Sequence, residues 1–288
     1  MLSFPGSHIV RHALASLEFL VVQDLFLTET AKLATVVLPA ASFAEKDGSF
    51  TNFEGKINTI RKGIKPVGES RPDWQIILNI ADKMKSPFSY SRLEDVMGEI
   101  EESVLGYEAY TDSTRPYQSN SSVVGGGRWQ RAQMLRGFAR FSPVEYQTPF
   151  KVKHKGYPFI LLTGSVFPHI GTGTRSSKAP RLKKFSPSGF VEVSSADAKK
   201  LALNNGDKVR VSSKVGEIMA PVRVSNDILK GMLFIPSTFD EIPVNTLFEI
   251  SLDAQSKTPT SKACHVKIER TDAHGKADSK RRSQSQAA

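Results

Sequence analysis

Apolar residues in the first part of the chain switch between helical spacing and short continuous runs. Over 8–17 they recur every three or four positions, which predicts an amphipathic helix. Continuous apolar runs follow at 19–22 and 36–38, separated by a short helical segment over 28–34. Two apolar runs that flank a helix predict neighbouring parallel strands, buried on both faces. Because ligands bind beyond the carboxyl ends of such strands, the residues after each run are candidates for a site.

Polar segments and two further helices complete this half. Residues 45–61 are polar and punctuated by glycine, which predicts a loop and a hairpin. A regular apolar stripe predicts a helix over 72–84, and Ser91-Arg92-Leu93-Glu94 resembles a capping box that opens another helix. We expect an α/β domain over 1–105. A flexible connection is predicted over 106–150, where periodicity breaks down and a Ser/Asn/Gly run occurs.

After residue 150 the pattern changes to short strand-like runs. Apolar residues alternate over 217–224, so one face of that strand is core. A helix over 195–203, capped by Ser195, ends in the turn Asn204-Asn205-Gly206-Asp207. Short strands with frequent turns predict a compact β-barrel over 151–270, and the aperiodic basic residues 271–288 predict a disordered tail. The predicted strands are 159–162, 190–193, 208–212, 217–224, 232–235 and 265–269.

Composition narrows the possible functions. No apolar run approaches the roughly 18 residues that span a bilayer, so membrane insertion is not expected. The first residues lack the pattern of a secretory signal. The single cysteine, Cys264, excludes a disulfide framework and an iron–sulfur cluster held by this chain, which would need about four thiolates. It favours a cytoplasmic protein, and its place in the last strand predicts a core residue and no metal ligand.

The placement of positive charge carries more information than the net charge of +10. Residues 151–190 contain eight Lys or Arg and no Asp or Glu. Charge alone indicates a solvated basic face or a nucleic-acid surface, but no aromatic residues interleave the lysines as single-strand stacking would require. The same stretch holds a Gly/Thr loop after an apolar strand, and the backbone N–H groups and hydroxyls of such a loop can cradle a phosphate. The candidate residues are Thr163, Gly164, Ser165, Gly171, Thr172, Gly173 and Thr174.

Two separated blocks resemble one enzyme family. Residues 19–52, FLVVQDLFLTETAKLATVVLPAASFAEKDGSFTN, are similar to a signature of the molybdopterin oxidoreductases, particularly the formate dehydrogenase alpha subunit and the large iron–sulfur subunit of bacterial NADH–quinone oxidoreductase. Residues 160–174, ILLTGSVFPHIGTGT, resemble the first strand and loop of the family's molybdopterin-dinucleotide-binding domain, and 187–223 and 253–262 resemble its later parts. The resemblance implies an α/β domain fragment, a parallel sheet with helices, followed by a double-psi β-barrel domain.

The resemblance also implies a cofactor, molybdopterin guanine dinucleotide, with molybdenum or tungsten carried by the complete assembly. Gln23 and Asp24 stand at a strand end, where they could read a guanine or pterin edge. Asn52 and Glu54 match a family segment close to the pterin, although a hairpin turn would also use Asn52. His169 could contact a phosphate or the pterin, or could be a satisfied surface histidine. Further matches in the family's last loops are Asn245 and Lys257.

Three positions depart from the family pattern, and one of them bears on which family member the chain resembles more. Ser165 stands where formate dehydrogenases often carry arginine, which removes a phosphate clamp and favours an NADH–quinone oxidoreductase subunit. Thr35 replaces the usual Asp, and Thr238-Phe239 stands where a His-Phe pair is frequent. The family's iron–sulfur cysteines, metal ligand and neighbouring catalytic His and Arg lie in blocks that do not occur here, so no catalytic residue is predicted.

Two functions follow from these observations. The first is the cofactor-binding C-terminal portion of a redox enzyme, which contributes to electron transfer and works with the enzyme's upstream half or with other redox subunits. The alternative is a structural subunit of a respiratory complex with no bound pterin. Either protein would be cytoplasmic, and peripheral attachment to the membrane through a respiratory complex stays open.

Overall fold

The structure is a computed structural model, and its described residues fall into two compact units, a barrel unit and a sheet unit. The described residues are 2–52, 57–104, 143, 155–253, 256–259 and 263–271. The barrel unit comprises Met1–Leu20, Phe26–Thr35 and Thr148–Ala288, and the sheet unit comprises Val21–Leu25 and Val36–Gln147.

Within the described residues the elements alternate between short strands and short helices. The α-helices are α1 (Ser7–Ala15), α2 (Asp73–Lys83), α3 (Leu93–Ser103), α4 (Pro180–Phe185) and α5 (Ser195–Leu201). The strands are β1 (Val21–Asp24), β2 (Val36–Pro39), β3 (Gly48–Thr51), β4 (Ile57–Ile60), β5 (Phe159–Gly164), β6 (Val191–Ser194), β7 (Lys208–Ser212), β8 (Glu217–Ser225), β9 (Met232–Pro236) and β10 (Ala263–Arg270). Short 3-10 helices occupy Ala31–Leu33, Phe43–Glu45, Ser176–Lys178 and Val244–Leu247.

The sheet unit contains the predicted parallel strand pair. Strands β1 and β2 run parallel, with Val21 opposite Val36 and Asp24 opposite Pro39. The prediction that both faces are buried is wrong, because Val21, Val36 and Val37 are each about 40% exposed. The reason is that the sheet has only these two strands among the described residues, and two strands alone cannot cover either face. The predicted hairpin is confirmed as the antiparallel pair β3–β4.

The helices of the sheet unit lie close to their predicted positions. Helix α2 falls inside the predicted range and buries Ile76 and Ala81. Helix α3 begins one residue later than the capping box predicted. Its N-cap is Arg92, and the carboxylate of Asp95 at the third helical position reaches back: its Oδ2 accepts the N–H groups of Ser91 at 2.9 Å and Arg92 at 2.8 Å. The third helical position, where a capping box carries its acidic residue, is therefore Asp95 and not Glu94.

The predicted barrel is confirmed as a closed, six-stranded, double-psi barrel in the order β10-β5-β9-β6-β8-β7. Pairs β5–β9 and β6–β8 are parallel, whereas the remaining neighbours are antiparallel. The alternation expected in β8 holds, because Ile218, Ala220 and Val222 are buried in the barrel interior. Side chains from the other strands join the same core and are fully buried: Leu161, Val191, Val193, Val209, Val211, Leu233, Ile235 and Val266.

Two local expectations in the barrel unit need correction. The cap of α5 is Ser194 and not Ser195, because Ser194 Oγ accepts the N–H of Asp197 at 3.1 Å. The hydroxyl of Ser195 instead donates to Asn226 Oδ1 at 2.5 Å. The segment predicted as a helix over 28–34 forms only the 3-10 turn Ala31–Leu33.

Cys264 has the predicted core position in β10, where it packs against the barrel interior. Burial raises the pKa of its thiol to about 12. The predicted connection over 106–150, apart from Pro143, and the predicted tail beyond Thr271 lie outside the described residues. Among the residues that are described, no helix combines the length and hydrophobicity required to cross a membrane.

Candidate cofactor site

The Gly/Thr loop, residues 165–178, leaves the barrel where β5 ends. Gly164 is held there by Ser237, whose N–H and hydroxyl both donate to the Gly164 carbonyl, at 2.9 and 3.1 Å. The hydroxyl of Thr163 donates to the carbonyl of Ile235 at 2.9 Å. These bonds join the ends of the parallel strands β5 and β9, so the loop starts from a fixed backbone. The hydroxyl of Thr163 is therefore engaged with the barrel, while Ser165 is exposed.

His169 is buried under the loop and links it to Ser176 and Ser186 by hydrogen bonds. Its Nε2 lies 3.0 Å from the carbonyl oxygen of Ser186, and its Nδ1 lies 3.0 Å from the Oγ of Ser176. A carbonyl can only accept, so Nε2 carries a proton, and in the neutral ring Nδ1 accepts from Ser176. The ring is 4% exposed and meets Phe239 edge-on. His169 is satisfied, but it is buried and not at the surface, and both nitrogens hold protein groups.

The glycines of the loop shape its far end. Gly171 and Gly173 have positive φ angles of 56° and 73°, a region that residues with a side chain rarely adopt. The N–H of Gly173 donates to the carbonyl of Ile170 at 3.0 Å, and the hydroxyls of Thr172 and Thr174 pair at 3.0 Å. Among the described residues, the N–H groups of Gly171, Thr172 and Thr174 have no acceptor. Backbone donors of this kind are what an anion requires.

Thr238, in the segment after β9, also holds the loop in place, a role that the sequence analysis did not predict. Its side chain is buried, and its hydroxyl donates to the carbonyl of Gly171 at 3.3 Å. The sequence marked Thr238 only as a departure from a frequent His-Phe pair. Ser176 was also missed, since a serine seven positions after His169 has no distinguishing pattern. Both contacts depend on how the loop folds back, which local sequence does not encode.

The predicted residues of the sheet unit are engaged with their own unit. Gln23 Nε2 donates to Asp73 Oδ1 at 2.6 Å, and Lys46 Nζ binds the other oxygen of Asp73. Burial raises the pKa of Asp73, but the hydrogen bonds from Lys46 and Gln23, with the charge of Lys46, outweigh it and leave the pKa below its ordinary value. The Oδ1 of Asp24 accepts the N–H of Leu25 at 2.7 Å. Polar groups at this strand end thus form a network fixed within the unit.

Two further predicted residues of the sheet unit lie in or beside the hairpin. Asn52 directly follows β3, and it makes a polar interaction within the chain. Glu54 lies outside the described residues. Neither position adds a contact from which a ligand role can be argued.

Asn245 and Lys257 have structural roles in other parts of the barrel unit. Asn245 is buried and ties down the N-terminal segment, since its Nδ2 donates to the carbonyl of Leu2 at 2.6 Å and its carbonyl accepts the N–H of Gly6 at 2.9 Å. Lys257 is exposed in a turn, with a positive φ of 55° and its N–H bonded to the carbonyl of Asp253 at 3.0 Å. Within the described part of the chain neither side chain hydrogen-bonds to the Gly/Thr loop.

An acidic group lies within electrostatic range of one lysine of the loop. The pKa of Asp240 is raised by burial and by the charges of Glu29 and Glu241, while Lys178 and Lys32 act in the opposite direction. The positive charge of Lys178 is therefore partly offset by Asp240. Lys178 differs in this respect from Arg175, the other basic residue of the loop, which does not contribute to the pKa shift of Asp240.

Family comparisons agree with the geometry. The model of the molydopterin dinucleotide binding domain matches residues 159–265. The match contains the complete Gly/Thr loop and every barrel strand up to the first residues of β10. The model of the molybdopterin oxidoreductases matches residues 5–83. The chain therefore belongs to the molybdopterin oxidoreductase family, and its barrel is the family's dinucleotide-binding domain.

Curated relatives refine this assignment. The chain is 41% identical over 280 residues to the F420-dependent formate dehydrogenase subunit alpha of Methanocaldococcus jannaschii, covering 94% of this chain and 42% of the relative. It is 36% identical over 271 residues to the F420-dependent formate dehydrogenase 2 subunit alpha of Methanococcus maripaludis, covering 91% and 40%. The chain thus spans less than half the length of these relatives. They support the formate dehydrogenase part of the prediction more than the NADH–quinone oxidoreductase part.

A solved structure shares the fold. Acetylene hydratase from Pelobacter acetylenicus superposes with a TM-score of 0.68 at 16% sequence identity, over 92% of this chain and 42% of that one. At this level of identity the likeness concerns the fold alone. It extends over almost the whole chain, so both units have counterparts in one larger protein.

Proposed function

We propose that this chain is the dinucleotide-binding, C-terminal portion of a formate dehydrogenase alpha-type oxidoreductase. The observation that carries the proposal is the Gly/Thr loop inside the matched dinucleotide-binding domain, where the N–H groups of Gly171, Thr172 and Thr174 find no acceptor in the described part of the chain. In this proposal the ligand is molybdopterin guanine dinucleotide. Molybdenum or tungsten, held by the complete assembly, supplies the redox chemistry.

The loop fits a pyrophosphate on three counts. One of its three N–H groups belongs to Gly171, and the other two directly follow Gly171 and Gly173, which are in left-handed conformation and keep side chains away from an approaching ligand. Nothing lies within 4 Å of the position that a β-carbon on Gly171 would occupy, so the backbone is open at that point. The stretch 151–190 itself contains no Asp or Glu, and of the loop's two basic residues only Lys178 has its charge partly offset, by Asp240. For the loop, we propose that Gly171, Thr172 and Thr174 bind the ligand, while Thr163, Gly164, Gly173 and His169 hold the loop in shape.

The chain requires a larger assembly for catalysis in this proposal. Its only thiol is Cys264, which is partly buried against the barrel core with a strongly raised pKa and so is a poor metal ligand. In the described residues no three His, Cys, Asp or Glu side chains converge as metal ligands do. The curated relatives are more than twice as long as the matched segment. We propose that polypeptide outside this chain supplies the remaining groups.

The sheet unit supports the need for a partner. Parallel sheets bury both faces, whereas β1 and β2 expose Val21, Val36 and Val37. We propose that the remaining part of the enzyme covers these valines and that other redox subunits bind the assembly. A cytoplasmic location, with or without peripheral contact to a membrane through those subunits, belongs to the same proposal.

The test is to purify the chain together with the rest of its enzyme and measure metal and nucleotide. We expect molybdenum or tungsten by elemental analysis and about one or two equivalents of GMP after acid hydrolysis, as a guanine dinucleotide cofactor implies. A well-folded assembly that contains neither metal nor GMP would overturn the proposal. That result would favour the alternative, a structural subunit that keeps the fold without a pterin.

A further inference from the structure

The backbone on both sides of Arg175 is fixed. On one side, the carbonyl of Gly173 accepts the N–H of Ser177 at 2.8 Å. On the other side, the hydroxyl of Ser176 binds the buried ring of His169 and also accepts the N–H of Ile170 at 3.3 Å. Arg175 therefore projects from a defined point of the loop, directly after the free N–H of Thr174. A side chain anchored in this way loses little further backbone entropy when it binds a ligand.

The guanidinium of Arg175 has no acidic partner within the described residues, and the side chain is exposed. Two arginines of the barrel strands are paired instead: Arg223 with Glu192 at 2.9 Å and Arg270 with Asp207 at 3.5 Å. Lys178, the next basic residue of the loop, is partly offset by Asp240. Arg175 is thus the arginine of the loop, and its guanidinium donors have no acidic partner among the described residues.

We propose that Arg175 binds the pyrophosphate of the dinucleotide through two parallel N–H donors of its guanidinium. The planar guanidinium offers paired N–H donors that match phosphate oxygens, which a serine hydroxyl cannot replace. The free N–H groups of Gly171, Thr172 and Thr174 supply the uncharged part of the cradle, and Arg175 supplies its charge. The inference rests on the proposed function, since it assumes that this loop binds the dinucleotide.

Arg181 provides a matched control for Arg175. It is also exposed and has no acidic partner in the described chain, but it lies on α4, past the end of the loop. Replacing either arginine by glutamine removes the same charge from the same basic stretch. A general effect of net charge would weaken anion binding equally in both variants, whereas a direct contact from Arg175 would be lost in Arg175→Gln alone.

The experiment measures equilibrium binding of GDP and of GMP to the full chain by calorimetry, with circular dichroism as the check on folding. GDP carries a pyrophosphate, and GMP carries a single phosphate. We expect Arg175→Gln to weaken GDP binding at least about tenfold and Arg181→Gln less than about twofold. We expect the GDP affinity of Arg175→Lys to lie between those of the wild type and Arg175→Gln, since lysine keeps the positive charge but lacks the paired N–H donors of the guanidinium. The GDP preference over GMP should shrink in Arg175→Gln only.

The outcomes distinguish the role of Arg175 from the proposal that the loop binds the dinucleotide. If the folded wild-type chain binds GDP and Arg175→Gln matches Arg181→Gln, the role of Arg175 is wrong and the proposed function stands. If the folded wild-type chain binds neither nucleotide, the dinucleotide proposal fails and the role of Arg175 fails with it. Equal losses for GDP and GMP in Arg175→Gln would also overturn the assignment to the pyrophosphate.

Discussion

The carbonyl oxygen of Thr238 lies 2.3 Å from the position that a β-carbon on Gly173 would occupy. Gly173 is also bonded on both sides, through its N–H to Ile170 and through its carbonyl to Ser177. The loop and the segment after β9 therefore approach so closely that only glycine fits between them. This contact holds the loop at Gly173 against the segment that follows β9.

Gly173→Ala should disrupt the loop, because the new methyl group would collide with the backbone of Thr238 and the φ of 73° is unfavourable for alanine. We expect a loss of about 2–4 kcal/mol in the free energy of unfolding and at least a tenfold loss of GDP affinity. Gly171→Ala is the control, since its φ is 56° but nothing lies within 4 Å. It should cost only about 1 kcal/mol. Equal costs in urea unfolding would contradict the steric account.

His169→Ala should destabilise the barrel unit, because it leaves the carbonyl of Ser186 and the hydroxyl of Ser176 without their buried partner. We expect a loss of about 3 kcal/mol, which combines two hydrogen bonds with a cavity beside Phe239. The exposed His8→Ala on α1 serves as the control and should change stability by less than about 0.5 kcal/mol. Urea unfolding of the three proteins measures the difference. A ligand-only role for His169 would instead leave the apo-protein's stability unchanged.

The barrel could be predicted from the sequence because each strand buries one face. In β8 the buried positions Ile218, Ala220 and Val222 alternate with more exposed ones, and this period of two is visible without a structure. The same logic failed for β1 and β2. Their continuous apolar runs predicted burial on both faces, but burial depends on covering elements that the described chain does not supply.

The position of the loop could be predicted from its glycines and the basic residues around it. The contacts that its side chains make could not be predicted. His169 looked like a candidate ligand, yet its partners lie 7 and 17 residues away in the chain. Gln23 bonds to Asp73 across 50 positions, and Asn245 bonds to Leu2 across 243. Contacts at such separations follow from the tertiary fold, so residue type and local spacing alone leave them undetermined.

Cys264 should react slowly with thiol reagents in the folded protein. Burial raises its pKa from 9.0 to about 12, so the reactive thiolate is scarce at pH 8. We expect labelling with a disulfide reagent to be at least about a hundredfold slower than in urea-unfolded chain. The signal is unambiguous, since the chain has one cysteine. Rapid stoichiometric labelling of the native protein would mean that β10 is not packed as described.

Asp73 should make the stability of the sheet unit depend on pH. Its pKa is lowered in the folded state, so its ionised form stabilises the fold above the ordinary value of 3.8. This stabilisation is lost as the pH falls through that value and below it. Asp73→Asn should therefore lower stability at pH 7 and flatten the decline on acidification, as measured by urea unfolding between pH 3 and 7. Asp82→Asn, on the exposed side of the same helix, is the control and should follow the wild-type profile.

Val37 should matter for assembly and little for the chain by itself. It is 38% exposed on β2, and an aspartate there can reach water in the free chain, so Val37→Asp should cost less than about 1 kcal/mol in urea unfolding. If the remainder of the enzyme covers this face, the same aspartate becomes a buried charge in the complex, which is strongly unfavourable. We expect co-purification with the remainder of the enzyme to fall at least about tenfold. Val67→Asp, at a turn where the side chain is 74% exposed, is the matched control and should co-purify normally. Unimpaired assembly of Val37→Asp would show that the exposed face of β2 is not the contact surface.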